Sequence, residues 1–208
     1  MSIYIQNKMS LRIVSGQFKG RILQAPKGST TRPTQEMLRG AVFNICQHEI
    51  QGSQFLDLFA GSGAMGLEAL SRGAEHATFI EKNRNALAAI RENILSLQVA
   101  LQSTVIGTDV ETALKRIESS FDIIYVDPPY HISADSFVTT LLNKNLLREN
   151  GLLFLEASSR HHQDPPIFSS LREEEIRSET LKPGASRCKW IGSRRFGDAT
   201  LHQYRNCL

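Results

Sequence analysis

From Gln54 onward, short apolar runs alternate with stretches in which apolar residues recur every three or four positions. The runs are Phe55 to Phe59, Ala77 to Ile80, Ser103 to Ile106 and Phe121 to Val126, and between them lie Met65 to Ser71, Arg84 to Leu97 and Val110 to Ile117. That rhythm predicts a β-α-β-α-β-α-β series. Strands so uniformly apolar must be covered on both faces, so it also predicts a mainly parallel sheet between helical layers. A helix near Ser136 to Leu147 and a strand at Leu152 to Glu156 extend the series. A closing hairpin is expected from Glu175 to Leu181 with Ala199 to Tyr204.

Before Gln54 the pattern differs. Leu11 to Pro26 alternates apolar and polar residues, with Gly16 and Gly20 as punctuation, and reads as a short hairpin carrying Lys19, Arg21 and Lys27 at its edge. After a loop from Gly28 to Pro33, Thr34 to about Ile45 places Met37, Leu38, Ala41, Val42 and Ile45 on one helical stripe. Gly40 within it costs about 1 kcal/mol relative to Ala. The pattern divides the chain into an arm, residues 1–50, and a domain, residues 51–208, without repeats or low-complexity linkers.

Composition narrows the class. The longest apolar runs fall far short of the roughly 20 residues a membrane-spanning helix needs, and 208 residues suit one domain with an arm. The net charge of +3 names no partner, but its distribution does more. Residues 1–50 hold seven Lys/Arg against two Asp/Glu, residues 51–150 eight against twelve, and residues 151–208 nine against seven. A basic arm on an acidic middle suggests that one part meets a polyanion while the other does different work. Cys46, Cys188 and Cys207 have no ligand spacing, so neither a zinc site nor a disulfide framework is indicated, and no metal is expected. The opening MSIYIQNKMS lacks the apolar stretch of a secretory signal, which makes a reducing cytoplasm the default address and Met9 an alternative start.

The first strand of the domain runs into Asp57-Leu58-Phe59-Ala60-Gly61-Ser62-Gly63-Ala64-Met65-Gly66, a G-x-G-x-x-G between strand and helix. Such a loop brings backbone N–H groups to a ligand, a dinucleotide pyrophosphate or the amino-acid part of S-adenosylmethionine. Asp57 separates the two, since a carboxylate at this strand end repels a pyrophosphate and attracts an ammonium. Glu81, ending the second strand beside Lys82, suits ribose hydroxyls in either class. Asp109, ending the third, is placed to accept from an adenine amino group.

After the fourth strand stands Asp127-Pro128-Pro129-Tyr130. Two prolines fix two φ angles and remove two donors, leaving carbonyls that only accept. With Asp127 they suit both hydrogens of an exocyclic base amine, and Tyr130 offers a stacking face. Orienting that amine toward a methyl sulfonium is catalysis by position and electrostatics.

With these parts the sequence resembles the class I methyltransferases, and within them the RsmD family of 16S ribosomal RNA guanine N2-methyltransferases. The resemblance runs from about Leu11 to Tyr204. It rests on Gly16, Gly20 and Arg21, on Arg32-Pro33-Thr34, Arg39 and Phe43-Asn44, and on the loop from Asp57 to Gly63. Gly66-Leu67-Glu68-Ala69, Val126 to Tyr130 and the tail Arg195-Phe196-Gly197-Asp198-Ala199 complete it. It implies a Rossmann-like α/β fold with a seven-stranded, mainly parallel sheet and an antiparallel last strand. It further implies S-adenosylmethionine as donor, and a guanine of 16S rRNA in the small subunit or its assembly intermediate as target of a monomeric enzyme. Asp57, Phe59, Ala60, Gly61, Ser62, Gly63, Glu81, Lys82 and Asp109 become cofactor contacts, and Asp127, Pro128, Pro129 and Tyr130 the catalytic loop. Lys19, Arg21, Arg32, Thr34 and Arg39 become RNA contacts. Gly40 departs from the family, which generally has Glu there. A DNA adenine N6-methyltransferase shares the Asp-Pro-Pro-Tyr loop but needs a target-reading domain for which no segment is long enough. A nicotinamide oxidoreductase is opposed by Asp57, and a non-catalytic RNA-binding module by the intact loop. His161 and His162 read as solvated, and Lys182, Arg187, Lys189, Arg194 and Arg195 as exposed charge or phosphate contacts.

Overall fold

The apolar rhythm resolves, in a computed structural model describing residues 10–26, 33–129, 132–159, 184 and 186–207, into a single seven-stranded sheet. Helix α1 (Pro33–Ile45) follows the arm hairpin; then come β1 (Gln54–Leu58), α2 (Ala64–Ser71), β2 (His76–Ile80), α3 (Arg84–Leu97) and β3 (Ser103–Ile106). The chain continues through α4 (Val110–Arg116), β4 (Phe121–Val126), α5 (Asp135–Asn143), β5 (Leu147–Ser158), β6 (Cys188–Phe196) and β7 (Ala199–Asn206). The strand order is β3-β2-β1-β4-β5-β7-β6, with β1 to β5 parallel and β7 antiparallel to both its neighbours. This is the Rossmann-like class I methyltransferase arrangement.

The strand period of two sorts the core into two layers. Phe55, Ile123, Tyr125, Leu152 and Phe154 belong to one cluster with residues of α1, α2 and α3, whereas Leu56, Leu58, Ile124, Val126, Leu153 and Leu155 belong to another with α4 and α5. Ile13 and Leu23 of the arm are buried in the first, so the arm is part of the main core rather than an appendage.

Polar groups on α2 and α3 seat the arm. Glu68, fully buried, accepts from the backbone N–H groups of Val14 (2.7 Å) and Ser15 (2.9 Å) and from Arg72 Nε (2.8 Å). The Ser71 hydroxyl accepts from Phe18 N–H and donates to the Ser15 carbonyl. Gly16, at φ +83°, lies so close to the Ser71 carbonyl that a Cβ there would collide with it. Asn93 of α3 brackets Gln24 from both sides and also donates to the Ser62 carbonyl, joining the arm to the glycine loop.

Four expectations change. The arm hairpin forms, with Ile13 N–H to Arg21, Gly20 N–H to Ile13 and Leu23 N–H to Leu11 carbonyl bonds around an Arg12–Ile22 bridge, but it is not a regular ladder, because Val14, Ser15 and Gln24 turn to α2 and α3. Met37 is 60% exposed, and Arg39 and Phe43 are buried in its place. The stripe rotates because Phe43 stacks on Phe55, with ring centroids 5.8 Å apart, and Arg39 lies beside Glu68. Helix α5 stops at Asn143, where Asn145 turns to φ +53°, and β5 starts early at Leu147, its exposed Arg148, Glu149 and Asn150 having masked the apolar signal. The strand beside β7 is Cys188–Phe196; Glu175 to Leu181, expected there, lies outside the described residues. No helix among the described residues is long and apolar enough to cross a membrane.

Candidate active site

Ligands of open α/β sheets collect outside the carboxyl ends of the strands, where the order reverses. Here that point is the β1–β4 junction. Asp57 pairs with Tyr125, and Tyr125 with Phe154, across β1, β4 and β5. Just beyond, at the carboxyl ends of the same three strands, stand Phe59, Asp127 and Glu156 in a row, with the Phe59 ring turned to the α5 layer.

Two cavities meet at that row. A smaller one, about 230 Å³, lies under the arm and is lined by Leu38, Arg39, Asp57, the loop from Phe59 to Ser62, and Tyr125. A larger one, about 620 Å³, is lined by Glu81, Lys82, Thr108, Asp109, Pro128, Pro129 and Phe137. Both share Gln35, Phe59, Asp127 and Glu156.

The glycine loop has the backbone its sequence demands. Gly61 and Gly63 sit at φ +55° and +78°, and Phe59 itself is held at φ +65°, a region costly for an aromatic residue. An edge-to-face contact with Phe137, 5.3 Å between centroids, fixes its ring between the cavities. Gly66 packs on the Phe79 ring so closely that any Cβ would intrude on it.

Asp57 is buried and accepts from the Gly66 N–H at 3.1 Å, so it caps α2 while lining the smaller cavity. Burial, and secondarily Glu81, pushes its carboxyl from 3.8 up to about 7. A buried acid with one backbone donor fits a cationic ligand such as the ammonium of S-adenosylmethionine. Glu81 accepts from Gly61 N–H (2.8 Å) and Asn83 N–H (2.7 Å), one bond per oxygen, which leaves lone pairs for ribose hydroxyls in the larger cavity. Asp109 lines that cavity too, but is exposed and caps α4 through Thr112 N–H at 2.8 Å, which holds its carboxyl below the ordinary range. Lys82 is exposed at the cavity rim.

Asp127 is reached by both cavities, and its carboxyl is held well above the ordinary range, by burial first and then by Glu156 and Asp57. Pro128 and Pro129 border the larger cavity; Tyr130 lies outside the described residues. Glu156 and Tyr125 escaped the sequence reading. The Tyr125 hydroxyl, kept protonated by burial and by Glu156, donates to Glu156 Oε2 at 2.5 Å. The missed signal is positional: Glu156 ends its apolar run as Asp57, Glu81 and Asp127 end or follow theirs.

The arm residues separate. Lys19 is exposed. Arg21 is exposed but donates to the Ser96 carbonyl near the end of α3, at 2.8 Å. Thr34 lies against Gly197 of the β6–β7 turn, and Arg32 lies outside the described residues. Arg39, expected as an RNA contact, is corrected: it is 3% exposed, donates to the Arg12 carbonyl at 2.7 Å and stands 3.6 Å from Glu68. Its guanidinium braces the arm and roofs the smaller cavity.

The family described as conserved hypothetical protein 95 matches residues 11–182. A ribosomal RNA small subunit methyltransferase D of Escherichia coli is 38% identical over 149 residues, 71% of each chain. Its Haemophilus influenzae namesake is 32% identical, over 78% of this chain and 84% of its own. An Escherichia coli structure solved as a candidate methyltransferase superposes with a TM-score of 0.77 at 26% identity, covering 96% of this chain and 99% of its own.

Proposed function

The chain belongs to the conserved hypothetical protein 95 family, that of the RsmD methyltransferases, and we propose that it methylates the exocyclic N2 of a guanine in the small-subunit ribosomal RNA. S-adenosylmethionine is the cofactor and supplies a methyl group on a positively charged sulfur. The rest is done by the chain's own side chains and backbone. Asp57 holds the ammonium, the Gly61-Ser62-Gly63 backbone closes around the amino-acid end, Glu81 takes the ribose hydroxyls, and Asp109 keeps lone pairs for the adenine amine beyond its bond to Thr112. Asp127 and the Pro128 carbonyl accept the two hydrogens of the target amine and turn its lone pair toward the methyl group, with Tyr130 as the stacking face. Arg39 roofs the amino-acid end. Lys19, Arg21, Arg32 and Thr34 grip the RNA, and residues 1–50 act as the substrate arm of the domain formed by residues 51–208.

The observation that carries this reading is the row of Phe59, Asp127 and Glu156 where the two cavities meet, beneath an arm that belongs to the same core. A monomer working on the small subunit, or on its assembly intermediate, is the expected form. The test is methyl transfer to small subunits that lack the modification, followed by mapping of the modified nucleotide. N2-methylguanine at one position is the expected product; N6-methyladenine in DNA, with ribosomal N2-methylguanine unaffected by loss of the gene, would replace this reading by the adenine one.

A further inference from the structure

An Asp-Pro-Pro-Tyr loop does not by itself separate guanine from adenine, because both bases present an amine with two hydrogens to be accepted. The bases differ next to that amine. Guanine N2 adjoins a protonated ring nitrogen, the donor N1–H, whereas adenine N6 adjoins a bare N1 that only accepts. An acceptor placed beside Asp127 therefore distinguishes them.

Resting on the guanine N2 reading above, we propose that Glu156 selects the base, its carboxylate accepting the hydrogen bond of the ring N1–H while Asp127 accepts from the amine. Register places the two acids side by side: Val126 pairs with Leu155, and the next residues in β4 and β5 order are Asp127 and Glu156. Neighbouring strands lie about 4.8 Å apart, close enough for one base edge to reach both carboxylates. Glu156 borders both cavities, as a group touching the target at the methyl-transfer point must. The Tyr125 hydroxyl pins Oε2 from below and leaves Oε1 outside that bond.

A structural role explains this poorly. A half-buried acid beside Asp127 pays for desolvation and like-charge repulsion, and Gln would accept the Tyr125 bond as well without a charge. Burial raises the Glu156 carboxyl above its ordinary range and the Tyr125 bond works against that rise; with Oε2 taken by Tyr125, the acid keeps acceptor capacity toward the base. Toward an adenine N1 the same carboxylate sets lone pair against lone pair.

The experiment compares guanosine with 2-aminopurine at the target position of small subunits reconstituted from ribosomal RNA. 2-Aminopurine keeps the N2 amine and replaces N1–H by an acceptor. Wild type is expected to favour guanosine in kcat/KM by roughly ten- to a hundredfold, the size of one charge-assisted hydrogen bond. Glu156→Gln, whose amide donates to the bare N1, is expected to shrink or invert that preference while binding S-adenosylmethionine as wild type does. Equal wild-type rates on the two bases would overturn the role of Glu156 alone, and so would an unchanged preference in a variant that binds cofactor normally. Should Glu156→Gln fail to fold, Tyr125→Phe, which releases the carboxylate without removing it, is read in the same way, a loss of preference supporting the role and a wild-type preference opposing it. Absence of N2-methylguanine with wild type and guanosine would overturn the function itself, and this role with it.

Discussion

At the scale of single residues, the site is a set of acids held where acids are uncomfortable. Asp57 makes this measurable. Its carboxyl titrates near 7 folded against 3.8 as an ordinary carboxyl, so between about pH 4 and 7 the folded chain holds a proton that the unfolded chain has lost. Stability from this group is present below pH 4 and is lost as the pH rises through 7. An ammonium ligand needs the ionised form. The rise in Tm on adding S-adenosylmethionine is therefore expected to be larger at pH 8 than at pH 6, and Asp57→Asn to flatten that difference while raising the Tm of the ligand-free protein at pH 8; a calorimetric series across the range checks both. Asp127→Ala, which removes an acceptor for the amine but no proposed cofactor contact, is expected to lower methyl transfer by about a hundredfold or more with cofactor affinity little changed, read by single-turnover kinetics beside equilibrium binding. Asp57, Glu81 and Asp127 could be picked from the sequence because each meets a strand end at a loop with its own signature. Glu156 shares their position at the end of an apolar run but not the loop signature, for nothing in Leu155-Glu156-Ala157 marks a turn, and the register of β4 and β5 is what brings it to Asp127.

Among the elements, those with a regular apolar period were legible almost to the residue: α3 and β4 have the bounds the pattern predicts. Misreadings fall where tertiary contacts outweigh local pattern. Helix α1 shows it best, since a buried Arg39 is invisible to a search for apolar stripes, and its partner Glu68 lies on another helix. β6 is an edge strand with most residues exposed, so its sequence carries little apolar alternation. Two measurements probe this level. Gly40 sits in α1 with open space where a Cβ would be, so Gly40→Ala is expected to raise stability by about 0.5–1 kcal/mol, seen as an increased denaturation midpoint. Glu68→Ala strands Arg39 and Arg72 and frees two arm N–H groups, and is expected to cost about 3–5 kcal/mol. Hydrogen exchange at Val14 and Ser15 should accelerate more than at the β1 and β4 amides if the arm loosens before the sheet.

For the whole molecule, the small net charge of +3 hides a spatial division. Asp57, Glu81, Asp127 and Glu156 gather at the carboxyl edge of the sheet, around the two cavities proposed to take the cofactor. Exposed Lys19 lies in the arm turn, and exposed Lys189, Arg194 and Arg195 lie on β6. The turn after β6 touches Thr34 at the start of α1, which brings the basic tail beside the arm's helix. A polyanion bound along the arm and tail would present a base to the acidic edge without itself lying on it, which would let one short chain serve a cationic cofactor and an anionic substrate together. Salt separates residues in that path from bystanders, because each phosphate neutralised adds about 0.7–0.9 to the slope of log affinity against log salt. Lys19→Ala and Arg194→Ala are each expected to lower the slope by about that amount and to weaken RNA binding. Arg116→Ala, exposed at the end of α4 on the opposite layer of the sheet, is expected to leave it unchanged. Titrations at several salt concentrations distinguish these outcomes, and a Lys19→Ala slope equal to wild type would take the arm turn out of the RNA path whatever the activity of the variant.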